Sequence, residues 1–133
     1  MSSTGKLLFD THAFLAFFNR EKGSEIIKKF FDDVQSGEAD GYVATITLTE
    51  LAYIYSRKTD AASGTLRAMQ VLHSKLNVIS LNPEIAIRAG TLKLPGISVA
   101  DAIIAASALS AGAPVVTNDP HFSEMGVETI GYR

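Results

Sequence analysis

The stretch Lys6-Leu7-Leu8-Phe9-Asp10-Thr11-His12-Ala13-Phe14-Leu15-Ala16-Phe17-Phe18 decides how the chain is read. Leu7, Leu8 and Phe9 make a short apolar run of the kind found in buried strands. From Thr11 to Phe18 the apolar residues continue with helical spacing, and an acid, Asp10, stands at the junction. A buried strand feeding directly into a helix opens an α/β arrangement. The rest of the chain repeats the alternation.

Outward from this stretch, Glu25 to Val34 is an amphipathic helix. Ile26, Ile27, Phe30, Phe31 and Val34 fall on one face, and Lys28, Lys29, Asp32 and Asp33 on the other. Gly41 to Thr45 reads as a second strand and Leu48 to Arg57 as a helix, followed by a helix over Thr65 to Lys75. The β-branched segment Asn77 to Leu81 is a third strand. Pro83 opens a helix that Pro95-Gly96 closes, and Ala100 to Ala111 is a helix stopped by Gly112. Pro114 to Thr117 is a fourth strand and Glu128 to Tyr132 a short fifth. Strands separated by helices pair in parallel. The expected fold is therefore α/β: a three-layer α/β/α domain over residues 1–133, with a central, mostly parallel sheet of four to five strands.

With 47% hydrophobic and 20% charged residues, 133 residues suit one ordinary core. No apolar run approaches the roughly 18 residues that span a bilayer, and the first six residues lack a signal-peptide layout. The absence of cysteine excludes disulfides, thiolate metal sites and cysteine nucleophiles. Cytoplasmic location is the simplest expectation. A net charge of −2 is not the basic excess of a non-specific nucleic-acid binder. Any RNA contact must come from local patches or through bound cations.

Ligand sites of parallel α/β sheets form beyond the carboxyl ends of the strands. Asp10, Glu50, Asp101 and Asp119 sit at such junctions or at helix starts. Each also has a local explanation. Thr47-Leu48-Thr49-Glu50 fits a capping box, Ser98-Val99-Ala100-Asp101 fits it less well, and Asp119-Pro120 and Asp10-Thr11 read as helix caps. Capping does not explain the whole set. Carboxylates gathered at one edge repel by about 4 kcal/mol per close pair at an effective dielectric near 20. Hard divalent cations such as Mg²⁺ or Mn²⁺ remove that penalty, and such a cluster suits phosphodiester hydrolysis. His12, His73 and His121 do not have metal-ligand spacing; His73 reads as surface and His121 as a loop or cap residue. The aromatics Phe14, Phe17, Phe18, Phe30 and Phe31 read as core or helix-packing surface, and any surplus left exposed would mark a partner groove.

Four segments then carry a resemblance: Leu8-Phe9-Asp10-Thr11-His12, Thr47-Leu48-Thr49-Glu50-Leu51, Ser98 to Leu109, and Val116-Thr117-Asn118-Asp119-Pro120-His121-Phe122. In this order and spacing the chain resembles PIN domains, and within them the VapC-like toxins of type II toxin–antitoxin pairs. The resemblance implies a PIN fold and a Mg²⁺- or Mn²⁺-dependent endoribonuclease. It implies that Asp10, Glu50, Asp101 and Asp119 hold the metal, with Thr11, Thr117 and Asn118 in supporting polar roles. It also implies a homodimer, an RNA substrate and a small antitoxin partner. His12 departs from the Ser or Asn of many members; with Arg57 and Lys58 it is a candidate substrate contact.

Two other aspartate enzymes fit poorly. A haloacid-dehalogenase-type phosphatase needs an Asp where His12 stands, and a receiver domain needs an Asp ending a central strand where Leu81-Asn82 stands. The competing reading of a different class is a non-catalytic RNA-binding or protein-interaction module that keeps the fold.

Overall fold

A computed structural model describes residues 5–133. Its elements run β1 (Gly5–Phe9), α1 (Thr11–Phe18), α2 (Ser24–Ser36), β2 (Ala39–Ala44), α3 (Thr45–Lys58), α4 (Ala61–Leu72), β3 (Asn77–Ile79), α5 (Pro83–Leu92), α6 (Val99–Ala111), β4 (Val115–Val116), α7 (His121–Glu124) and β5 (Thr129–Ile130). The five strands form one sheet in the order β3-β2-β1-β4-β5, and every pairing is parallel. Among the described residues no helix is long and apolar enough to cross a membrane.

Alternation along β1 divides the interior in two. Leu8 joins Ala44, Val115 and the apolar faces of α5, α6 and α7 on one side of the sheet. Leu7 and Phe9 join Val43, Val116 and residues from α1 to α4 on the other. Successive strand side chains point to opposite faces, so the continuous apolar run of β1 serves both layers. The expected three-layer α/β/α fold is what forms. The α6 helix is buried from Ala102 to Ala108, and its one polar member there, Ser107, donates its hydroxyl to the Ile103 carbonyl at 2.7 Å.

Most boundaries follow local signals. Asn82 accepts from the Ile85 amide ahead of Pro83, Ser98 Oγ accepts from the Asp101 amide, and Gly112 closes α6 with φ 67°. The expected third and fifth strands shorten to Asn77–Ile79 and Thr129–Ile130, and three further shifts bear on the argument. The α4 helix begins at Ala61, four residues earlier than expected, because Asp60 caps it through the Ser63 amide. The fourth strand shortens to Val115–Val116, though a Leu8 amide bond to the Pro114 carbonyl and a Thr117 amide bond to the Ile130 carbonyl continue the pairing at either end. The third shift matters most for function. The α3 helix starts at Thr45, directly from β2, with Ala44 as a cap that makes no side-chain bond. Thr45 instead donates its hydroxyl to the Ile79 carbonyl at 2.6 Å, tying the junction to β3. The capping box expected at Thr47–Glu50 is therefore not formed.

The chain places β2 and β3 on one side of β1, then crosses to lay β4 on the other. Strand order reverses between β1 and β4, and a crevice opens at such a switch point, beyond the carboxyl ends of the strands. Asp10 follows β1 there, and Thr117 to Asp119 follow β4.

Candidate active site

Asp10 is 1% exposed. Its Oδ1 accepts from the Ala13 amide at 2.7 Å, capping α1, while Oδ2 accepts from the Thr117 hydroxyl at 2.5 Å. The same Thr117 oxygen accepts the Asp119 amide at 3.0 Å. One buried hydroxyl thus joins the acids that follow the two strands flanking the switch point. Asp119 in turn uses Oδ1 to accept the His121 amide at 2.9 Å, an Asx turn that starts α7. Capping and convergence coexist in these residues. An N-cap aspartate needs one oxygen for the helix and leaves the other to face elsewhere.

Electrostatics connect Asp101 to the pair. Burial pushes the Asp10 carboxyl up to about 6; the charge of Asp101 adds to the rise, while Thr117, the Ala13 amide and His12 oppose it. Asp101 is also raised, first by burial and then by Asp119, with Ser98, His12 and His121 opposing. The acids therefore sense one another in the order Asp10, Asp101, Asp119. The Tyr132 hydroxyl is pushed up to about 12 by burial, with the charge of Asp10 contributing.

Glu50 arrives by a different route. Thr11, beside Asp10, donates its hydroxyl to Glu50 Oε1 at 2.5 Å, and its oxygen lies 3.1 Å from the hydroxyl of the buried Thr47. Because Thr11 has one proton and gives it to the carboxylate, Thr47 must donate to Thr11. Thr11 of α1 thus holds Glu50 and is itself steadied by Thr47 of α3.

Oxygen donors in this number, with two of the acids held above their normal range by burial and mutual repulsion, fit a hard divalent cation. Ligand atoms of Asp101, Asp119 and His121 lie within 4.8 Å of one another, the only group of three or more His, Asp or Glu residues with such spacing among the described residues.

The PIN-domain family model matches residues 7–128, a span that contains all four acids. The chain belongs to the PIN domain family. Among solved structures, this PIN domain is similar to VapBC2 from Rickettsia felis bound to a promoter DNA fragment. That match has TM-score 0.75 and 17% identity, covering 96% of this chain and 99% of the other. DNA-bound VapBC from Salmonella typhimurium matches with TM-score 0.74 and 24% identity over 97% and 99% of the two chains. The sarcin-ricin-loop-cleaving toxin VapC20 of Mycobacterium tuberculosis matches with TM-score 0.70 and 16% identity over 91% and 95%. Identities this low speak to the fold alone. No curated protein matches by sequence.

Around these acids the other predicted residues separate. His12 is exposed and, with Asn118, Asp119 and Lys58, lines a cleft of about 340 Å³. Lys58 also lies 5.3 Å from the Tyr55 ring centroid. Arg57 is exposed and lines no part of that cleft. Asn118 has a structural use as well, accepting the Tyr132 amide at 2.9 Å. Two residues of this neighbourhood escape sequence reasoning. Tyr132 comes from the far end of the chain, and His121 turns its ring toward Asp119, Nδ1 to Oδ1 3.3 Å.

The most apolar groove lies elsewhere. Phe14, Phe17, Phe18, Phe31, Val71 and Leu76 are among the residues around a space of about 480 Å³ that none of the acids line. Phe17, Phe18 and Phe31 remain partly accessible there, and the Arg67 guanidinium sits 4.3 Å from the Phe18 ring centroid.

Proposed function

We propose that this PIN domain is a VapC-like toxin, a Mg²⁺- or Mn²⁺-dependent endoribonuclease that hydrolyses RNA phosphodiester bonds. The observation that carries the reading is the Thr117 hydroxyl joining Asp10 and Asp119 at the sheet's switch point, with Asp101 in their field. Asp10, Asp101 and Asp119 would hold the metal, and Glu50, steadied by Thr11, would complete the acidic set. A bound divalent cation supplies a water of lowered pKa and charge to offset that of the reacting phosphate. The protein's own part is orientation. Thr117 and the Ala13 amide fix both oxygens of Asp10, and the Asx turn fixes Asp119. His12 and Lys58, on the cleft beside Asp119, are positioned to meet the RNA backbone.

The similar Rickettsia and Salmonella structures are VapBC assemblies. By analogy this chain would pair with a small antitoxin, whose helix would lay its apolar face in the aromatic groove. Ile87 and Val99, 71% and 60% exposed, offer apolar surface for a homodimer.

The test is cleavage of a panel of structured RNAs by the purified protein with Mn²⁺, Mg²⁺ or EDTA, beside Asp101→Asn. Metal-dependent cleavage lost in the variant is the expected result. No cleavage and no calorimetric metal binding would replace this reading with the non-catalytic RNA-binding or protein-interaction module.

A further inference from the structure

The acidic site of this chain carries a nitrogen donor. His121 Nδ1 lies 3.3 Å from Asp119 Oδ1, and a ligand atom from each of Asp101, Asp119 and His121 falls within 4.8 Å of the others. Cis ligands of an octahedral ion with bonds of 2.0–2.1 Å stand roughly 3 Å apart, a spacing that the His121–Asp119 pair already approaches at 3.3 Å. The ring is not spent on building the local fold. The bond that builds the Asx turn comes from the backbone amide of His121, not from its ring, and the side chain is 42% exposed.

We propose that His121 is a ligand of the metal held by Asp101 and Asp119, and that its nitrogen biases the site toward transition ions over Mg²⁺. Mg²⁺ favours oxygen donors, whereas imidazole is a normal ligand for transition metals and binds them with rising affinity along the first row. The inference rests on the metal-dependent reading above but goes beyond it in assigning one donor and one preference.

Pulsed electron paramagnetic resonance of Mn²⁺ bound to the intact protein reads the donor directly, without any turnover. Wild type should show ¹⁴N coupling from an imidazole. His121→Gln should lose it while keeping an amide able to bond Asp119, and His12→Gln should retain it. By calorimetry, His121→Gln should weaken Mn²⁺ binding at least about tenfold and Co²⁺ binding more, with Mg²⁺ changed less than about threefold. Mn²⁺ bound by wild type without ¹⁴N coupling, or coupling that survives in His121→Gln, overturns the assignment and leaves the metal-dependent reading standing. A wild-type protein that binds no Mn²⁺ overturns both.

Discussion

Asp10→Asn should make the metal-free protein more stable at neutral pH while removing its capacity to bind metal. The wild-type carboxyl is raised from 3.8 to about 6, chiefly by burial. A raised acid favours the protonated folded state, so stability is fullest below the unfolded value and is lost as pH rises through about 6. At pH 7.5 the ionised Asp10 costs about 3 kcal/mol, at 1.36 kcal/mol per unit. Asparagine caps a helix as well as aspartate and keeps the oxygen that accepts from the Ala13 amide. It cannot accept the Thr117 proton, a loss of about 1 kcal/mol. The net gain of about 2 kcal/mol should raise the melting temperature by roughly 6 °C in EDTA. At pH 4.5 the charge cost shrinks to about 1 kcal/mol, so the two melts should converge. Excess Mn²⁺ should reverse the order, since a ligand at 100 times its Kd stabilises wild type by about 2.7 kcal/mol and leaves the variant unmoved. Melting by circular dichroism under these three conditions is the assay. A variant less stable than wild type at pH 7.5 in EDTA, or one whose advantage is undiminished at pH 4.5, would refute the argument.

Thr11→Val removes the donor that holds Glu50, and calorimetry should find Mn²⁺ affinity reduced about tenfold with the helices intact; unchanged affinity would detach Glu50 from the site. Lys58→Ala should weaken binding of a non-cleavable RNA and lower its salt slope by about one, whereas Arg57→Ala should leave both unaltered. A filter-binding salt titration separates the two residues. Gly64→Ala would drive a methyl group into the Ala52 carbonyl and the Ser56 hydroxyl where α4 crosses α3, and should cost about 1–3 kcal/mol in denaturant unfolding. An unaltered midpoint would mean that the two helices separate readily.

Local chemistry made much of this molecule legible in its sequence. The apolar run of β1 and the helical spacing after it identify an α/β chain. Asn82-Pro83, Ser98 and Gly112 mark helix ends because caps and stops are bonds between near neighbours. Asp10 and Asp119 stand out because acids at the junctions after strands lie at the edge where sites form, and Asp101 because it opens a helix. The capping reading holds in part: Asp10 caps α1 and Ser98 caps α6, whereas Pro120 rather than Asp119 is the cap of α7, and Asp119 accepts the His121 amide in an Asx turn one residue ahead of it.

What the tertiary structure alone decided are the bonds between distant residues. Thr47-Leu48-Thr49-Glu50 has the pattern of a capping box, yet α3 begins at Thr45, and both polar side chains turn to Thr11, 36 and 39 residues away. A local pattern records only which local bonds are available; packing α1 against α3 supplied better partners. Thr117 and Asp10 are 107 residues apart and meet because β4 pairs with β1, a strand order that no periodicity encodes. Adjacent Arg57 and Lys58 look equivalent as cations, but successive residues diverge by about 100° around a helix, and only Lys58 reaches the cleft. His121 lacked ligand spacing to any other histidine. Its nearest partners proved to be carboxylates, one of them brought from α6 by the packing of the sheet.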